Sequence, residues 1–306
     1  MEESLNSERF YINGRLQIVL DLEIGYMDDF ITLVLLLGHP LVNLKAITIV
    51  PGTPDEIGFL RHVLAIFNRA DIPLGVFDMN TKSIVSAFDY KVYYSTEIKE
   101  SREASDACDI LLTHCDENTI LVCGGPLTNV SKAIQTGKFR LGRLVVQGGF
   151  DCDNIVPQNK RIDKLNGLLT STAFNLDSNV QSALNVLQDK TIKEKFFVSK
   201  NVCHRVHYNR DMHKQLEPIR DKSLSLKEIY RIMSIYLDSI NIDGEIFHDP
   251  LTACCAIDPT IGEWRDVELY FDEQVKEWGS RIVEYPNVKI TVDYNHSSCL
   301  NTLFAY

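Results

Sequence analysis

Between residues 17 and 149 the chain alternates continuous apolar runs with segments of helical periodicity. QIVLDL (17–22), LKAITIV (44–50), IPLGVF (72–77), TILVC (119–123) and RLVVQGG (143–149) read as strands covered on both faces, because polar residues do not interrupt them at every second position. Helices lie between them. DDFITLVLLLG (28–38) opens on two acids and closes on Gly38 and Pro40, and 54–70 opens on Pro54, Asp55 and Glu56. A further helix is predicted over 102–115, and GGPLTNVSKAIQ (124–135) opens another. This β-α-β-α rhythm predicts an α/β fold: an open, mostly parallel central sheet, mixed at the edge, with helices on both faces.

The second half is less regular. FNLDSNVQSALNVL (174–187) reads as a loop leading into a helix, and FFVSKNVCH (196–204) as a strand running into a polar loop. SLKEIYRIMSIYLDSI (225–240) is an amphipathic helix, and EIFHDPLTACCAI (245–257) places His248 and Asp249 at a helix start. RDVELYFD and NVKITVDY are late strands with period-two patterning. No linker, low-complexity run or internal repeat divides the chain, so a single domain over 1–306 is expected.

Charge narrows the partners. Lys plus Arg number 31 and Asp plus Glu 42, a net charge of −11 without a basic block. That balance speaks against a nucleic-acid backbone or an anionic membrane surface, and suits a site that holds a cation. MEESLNSERF lacks a basic segment followed by an apolar one, so no secretory signal is expected. The longest apolar run, around Leu33 to Leu37, is far too short to span a bilayer. The eight cysteines show no CxxC pair and read as buried reduced thiols of a cytoplasmic protein.

In a sheet of this kind ligands bind at the carboxyl ends of the strands. DLEIGYMDDF (21–30) falls there and crowds Asp21, Glu23, Asp28 and Asp29 between two buried segments. Two or three such carboxylates can share a hard cation such as Ca²⁺ or Mg²⁺; the other reading is a solvated acidic turn. HDP (248–250) offers a second, distant carboxylate or else a helix-capping Asp. GGPLTN (124–129) lacks the Lys of a P-loop, and a carbonyl in this turn could instead face a cation. There is no G-x-S-x-G. Cys203-His204 as a thiol nucleophile is disfavoured, since neighbours on a strand point to opposite sides. A phosphatase of the haloacid-dehalogenase type wants D-x-D-x-T/V, where this chain has Glu23 and Gly25.

Taken together, these pieces resemble the inosine–uridine-preferring nucleoside hydrolase family. Its opening D-x-D-x-G-x-D-D-x-x-A-L is similar to DLEIGYMDDFITL, with Glu23 for the second Asp and one extra residue. GPLTNV (125–130), NVCH (201–204), AFN (173–175), HDPL (248–251) and AIDP (256–259) follow in family order. The D-x-E-x-G-x-x-D-D opening and PGTPD after the second strand are similar to a divergent branch of that family. The resemblance implies a Rossmann-like nucleoside hydrolase fold and Ca²⁺-dependent cleavage of a ribonucleoside to base and ribose. It implies Ca²⁺ held by Glu23, Asp29, Asp249 and the main-chain oxygen of Thr128, with Glu23 also taking a proton from water. Asp28 and Asn175 would contact the ribose, Thr53 and His204 would complete the substrate site, and His248 would assist departure of the base. It further implies a small-molecule nucleoside partner and a homodimer or homotetramer. Three departures, Glu23, Thr53 in a Gly52-Thr53 pair where the family has Gly-Asn, and Ala173 where it has a Glu on the ribose 5′ side, imply an altered substrate. They also open the alternative of a catalytically weakened nucleoside-binding or regulatory protein on the same fold.

Overall fold

The computed structural model describes residues 6–81, 93–94 and 97–306; the first five residues of the amino terminus lie outside it. Along the chain run β1 (Arg15–Leu22), α1 (Met27–Gly38), β2 (Val42–Ile49), α2 (Pro54–Ile66) and β3 (Leu74–Val76). Next come α3 (Ala107–His114), β4 (Ile120–Cys123), α4 (Thr128–Gln135), β5 (Leu141–Gln147), α5 (Val180–Gln188) and β6 (Ile192–Val198). The remainder holds α6 (Leu224–Ser239), α7 (His248–Ile257), β7 (Gly262–Asp272), β8 (Glu277–Arg281) and β9 (Val288–Tyr294). The strands form one sheet in the order β8-β7-β9-β6-β5-β4-β1-β2-β3. From β9 to β3 every pair is parallel. β7 and β8 join antiparallel at one edge, the mixed edge that the patterning predicts.

The apolar runs are continuous because each strand feeds two cores. In β1, Ile18, Leu20 and Leu22 enter a cluster with α1 and α6, while Val19 enters a second cluster with α3 and α4. A buried cation ties β5 to β6. Arg143 of β5 is wholly buried, with Nε 2.7 Å from Glu194 Oε2 on β6 and Phe10 and Phe196 each 4.9 Å from its guanidinium carbon. Arg9 shares the same carboxylate at 2.8 Å. Removing the anion strands a buried cation, so Glu194→Ala should cost about 3 kcal/mol in denaturant unfolding. A loss below about 1 kcal/mol would mean the pair behaves as a solvated one.

Two local expectations are corrected. The helix expected over 102–115 spans only Ala107–His114, because Ser105–Asp106 pairs with β3 and Asp106 caps the helix, its side chain accepting from Cys108 N. NVCH does not leave β6 as a polar loop: Lys200–Cys203 is a helical turn, with Ser199 Oγ accepting from Val202 N. Cys203 and His204 are therefore not strand neighbours, and burial pushes the Cys203 thiol well up, which makes it a poor nucleophile.

Candidate active site

The carboxyl ends of β1, β4, β5 and β6 open into one cleft of about 640 Å³. Its lining includes Glu23, Asp28, Gly124, Gln147, Asn175, Lys200, His204, His248 and Asp249. Segments distant in sequence thus meet where the strand rule places a ligand.

The floor is acidic. Asp28, Asp29 and Asp249 each place a donor oxygen so that all lie within 4.8 Å of one another, and all three residues are buried. Asp28 and Asp29 occupy the first turn of α1, and Asp249 the first turn of α7, which packs against α1. Asp29 Oδ2 accepts from Gly25 N at 3.0 Å and Tyr26 N at 2.8 Å, while its Oδ1 has no hydrogen-bond partner. Asp249 Oδ1 and Glu23 Oε2 are likewise buried without partners. Glu23 stands outside the tight triad, yet its charge reaches Asp29 and Asp249.

Desolvation raises every one of these acids. Burial, then the charges of Asp28 and Glu56, pushes Glu23 up to about 8. Burial pushes Asp28 up to about 6, against backbone hydrogen bonds that favour its anion. Asp29 and Asp249 are raised well above the ordinary range by burial and by their acidic neighbours. Crowded, dry carboxylates with unpartnered oxygens are the donor set a hard divalent cation requires, since such an ion takes several oxygen ligands and cancels their repulsion. The residues fit a metal.

Asp21 has a different task. Its Oδ1 accepts from Thr48 Oγ1 at 2.5 Å and Asn129 Nδ2 at 2.8 Å, tying β1 to β2 and α4. The GGPLTN turn lies directly against the acids: a Cβ on Gly124 would stand 2.7 Å from Asp249 Oδ1. Thr128 opens α4 beyond that turn, its hydroxyl 3.5 Å from Asn179 Nδ2, and does not line the cleft. Thr53 also stands apart from the lining residues. Its hydroxyl accepts from Glu56 N at 3.3 Å and caps α2, while Glu56 Oε2 accepts from Thr53 N and Gly52 N. Gly52 has φ +97°, and a Cβ there would meet the Val76 side chain at 2.3 Å, so this loop needs its glycine.

Asn175 Nδ2 donates to Gln147 Oε1 at 2.8 Å, and Ala173 N to Asp177 Oδ2 at 2.8 Å. The rings of His204 and His248 meet edge to face at 5.2 Å. Burial, with the Lys164 charge contributing, lowers both to about 4, so both are neutral near pH 7. The sequence reading missed Gln147, Lys200, Lys164 and the Tyr26–Phe174 ring pair, 6.0 Å apart. Gln147 and Lys200 follow the strand-end rule and could have been found by it. Lys164 lies in an irregular segment that carries no signal.

Asn201 of the NVCH segment locks this wall. Its side chain accepts from Asp151 N and donates to Asp151 O, both at 2.9 Å. Burial raises the Asp151 carboxyl from 3.8 to about 7, against hydrogen bonds from Ser199 and Ser280. The folded state therefore keeps a proton that the unfolded chain has released. This contribution is fully present below pH 3.8 and is lost as pH rises through about 7. Asp151→Asn should gain stability relative to the wild type across that window, read as urea midpoints at several pH values. A pH-independent gap would contradict the assignment.

Comparison with known proteins bears on the family and the fold. The family model described as inosine-uridine preferring nucleoside hydrolase matches residues 18–301. A pyrimidine-specific ribonucleoside hydrolase from Klebsiella pneumoniae is 24% identical over 320 residues, covering 94% of this chain and 97% of the relative. A purine-preferring ribonucleoside hydrolase from Gardnerella vaginalis superposes with a TM-score of 0.68 at 16% identity, over 94% of this chain and 96% of that one. An inosine-uridine preferring nucleoside hydrolase from Bacillus anthracis gives 0.67 at 19% identity, over 94% and 98%.

Proposed function

The chain belongs to the inosine–uridine preferring nucleoside hydrolase family and is a ribosyl hydrolase; from that premise we propose that it cleaves the N-glycosidic bond of a ribonucleoside or related ribosyl compound with Ca²⁺ held at the acidic floor of the cleft. The observation that carries the reading is the convergence of Asp28, Asp29 and Asp249, with donor atoms within 4.8 Å, from the two ends of the sequence. Asp29 and Asp249, with Glu23 beside them, would hold the ion; Thr128, outside the cleft lining, would not reach it. Asp28, inside the same triad, also turns a carboxylate oxygen to a ribose hydroxyl. When bound, the ion supplies Lewis acidity toward water and the ribose diol.

The chain's own groups do the rest. Glu23, with Oε2 unpartnered, takes a proton from the attacking water. The water oxygen bonds to C1′ as the C1′–N bond breaks, and the bonding electrons leave with the base. The acidic floor stabilises the positive charge that develops on the sugar. His248, whose Nδ1 has no partner, faces the departing base with His204 beside it and donates a hydrogen bond to it; the base leaves as an anion and takes a proton from solvent, to which Glu23 returns the one it received. Asn175 contacts the sugar. Thr53 bears on the site indirectly, through the loop that holds Glu56 near Glu23.

The relatives' names differ in the base they favour, and none is carried to this chain. Its eight buried, unpaired cysteines suit a reducing compartment and so a cytoplasmic enzyme, and the resemblance suggests a homodimer or homotetramer. No helix among the described residues is long and apolar enough to cross a membrane. A panel of natural and modified ribonucleosides with Ca²⁺ tests the reading: at least one should yield reducing sugar and free base in equal amounts. Calorimetric binding of nucleosides with no base released over prolonged incubation would favour the non-catalytic alternative.

A further inference from the structure

The cleft is electrically divided. In the same cleft lining as the acids, Lys200 places Nζ 3.0 Å from Ser171 Oγ and 3.1 Å from Thr172 O, immediately beside Ala173. Lys164 Nζ lies 2.9 Å from His204 Nδ1. A lysine only donates, so Nδ1 accepts and the His204 proton sits on Nε2. The two ammonium groups are near enough for the charge of Lys164 to disfavour that of Lys200. The charges of Asp177 and Glu277 reach Lys200, but their hydrogen bonds are made elsewhere: Asp177 accepts from Trp278 Nε1 and Ala173 N, and Glu277 from Thr170 Oγ1. Among the described residues neither lysine forms an ion pair with a carboxylate. Lys200 lines the cleft and Lys164 hydrogen-bonds the lining His204, and since neither is tied into an ion pair, their positive charge can still attract an anion. A neutral nucleoside brings none.

The placement of these charges decides where the anion sits on the substrate. In the proposed mechanism Asn175 and the acids engage the ribose, and Lys200 is hydrogen-bonded to the Ser171 hydroxyl and the Thr172 carbonyl, four and three residues before Asn175. Position 173, where the resemblance implies a Glu on the ribose 5′ side, is a buried alanine. A carboxylate there would repel a phosphate; alanine leaves room, and the adjacent lysine reverses the sign.

We propose that Lys200 forms a phosphate subsite, with Lys164 adding positive charge from beside His204, so that the substrate is a 5-phosphoribosyl N-glycoside such as a ribonucleoside 5′-monophosphate. The inference rests on the nucleoside-hydrolase reading and names the substrate class of that site. The cleft, about 640 Å³, has room for a nucleotide.

Initial rates on the four common ribonucleosides, their 5′-monophosphates and orotidine, whose anion is on the base, test it in wild type, Lys200→Met and Lys200→Arg. At least one monophosphate should exceed its nucleoside tenfold or more in kcat/KM. That ratio should fall at least tenfold in Lys200→Met and survive in Lys200→Arg. A ratio at or below one, or one that Lys200→Met leaves unmoved, overturns the subsite. Orotidine preferred over every monophosphate overturns its placement at the 5′ end. Calorimetry with ribose 5-phosphate and ribose separates this from catalysis. At least tenfold tighter binding of the phosphate, removed by Lys200→Met, supports the subsite even if nothing turns over; equal affinities overturn it. Absence of turnover on every compound counts against the hydrolase reading alone.

Discussion

Asp249→Asn should lower turnover by about 10³-fold, the factor that some 4 kcal/mol of lost transition-state stabilisation corresponds to. It should do so while leaving the fold intact. Asp249 is 6% exposed, its carboxylate is one corner of the acidic triad, and its Oδ1 is unpartnered. The backbone N–H that reaches Asp28 Oδ2 at 3.4 Å is untouched by the substitution. Without metal the variant removes one of several crowded negative charges, so it should melt above the metal-free wild type. With Ca²⁺ the order should reverse, because the wild type gains binding energy and the variant loses a ligand. Thermal melts with and without Ca²⁺ show the crossing. Equal Ca²⁺-induced shifts in both proteins would remove Asp249 from the metal site.

His248→Ala has an effect that depends on the leaving group. His248 opens α7, its ring abuts His204, and burial keeps it neutral near pH 7. A neutral imidazole there can donate a hydrogen bond to the base as the C1′–N electron pair moves onto it. The variant should lose about 10²-fold on an ordinary ribonucleoside. On a riboside of p-nitrophenol, whose anion leaves unaided, the loss should stay below about fivefold. Equal losses on both would make His248 a positioning residue rather than a donor to the leaving group.

The legibility of this molecule follows from where its signals are local. β1, β2, β4 and β5 were readable because strands covered on both faces must be apolar throughout, as Ile18 through Leu22 show around the single polar Asp21. The acids of 21–29 were readable because a strand end and a helix start lie next to each other, and HDPL because a carboxylate opens an apolar helix. Elements without that contrast were missed. Arg210–Leu216 is short and largely polar, and Glu277–Arg281 reads EWGSR at an antiparallel edge. The helix His296–Leu303, HSSCLNTL, buries only Cys299 and Leu303. The basic side of the cleft was legible only in part: NVCH marks His204 and a strand end marks Lys200, whereas Lys164 gains its meaning only when separate segments meet. Thr53 shows the converse: motif position pointed to the substrate, but local chemistry spends its hydroxyl on a helix cap.

The central claim is that buried acids at the strand ends hold a cation on which glycosidic cleavage depends. The most direct test is release of free base from a substrate the panel has identified, measured on protein stripped by a chelator and then titrated with Ca²⁺. Activity should fall to background on stripping and return to saturation at one Ca²⁺ per chain. Undiminished turnover in protein shown by elemental analysis to be free of metal would contradict it.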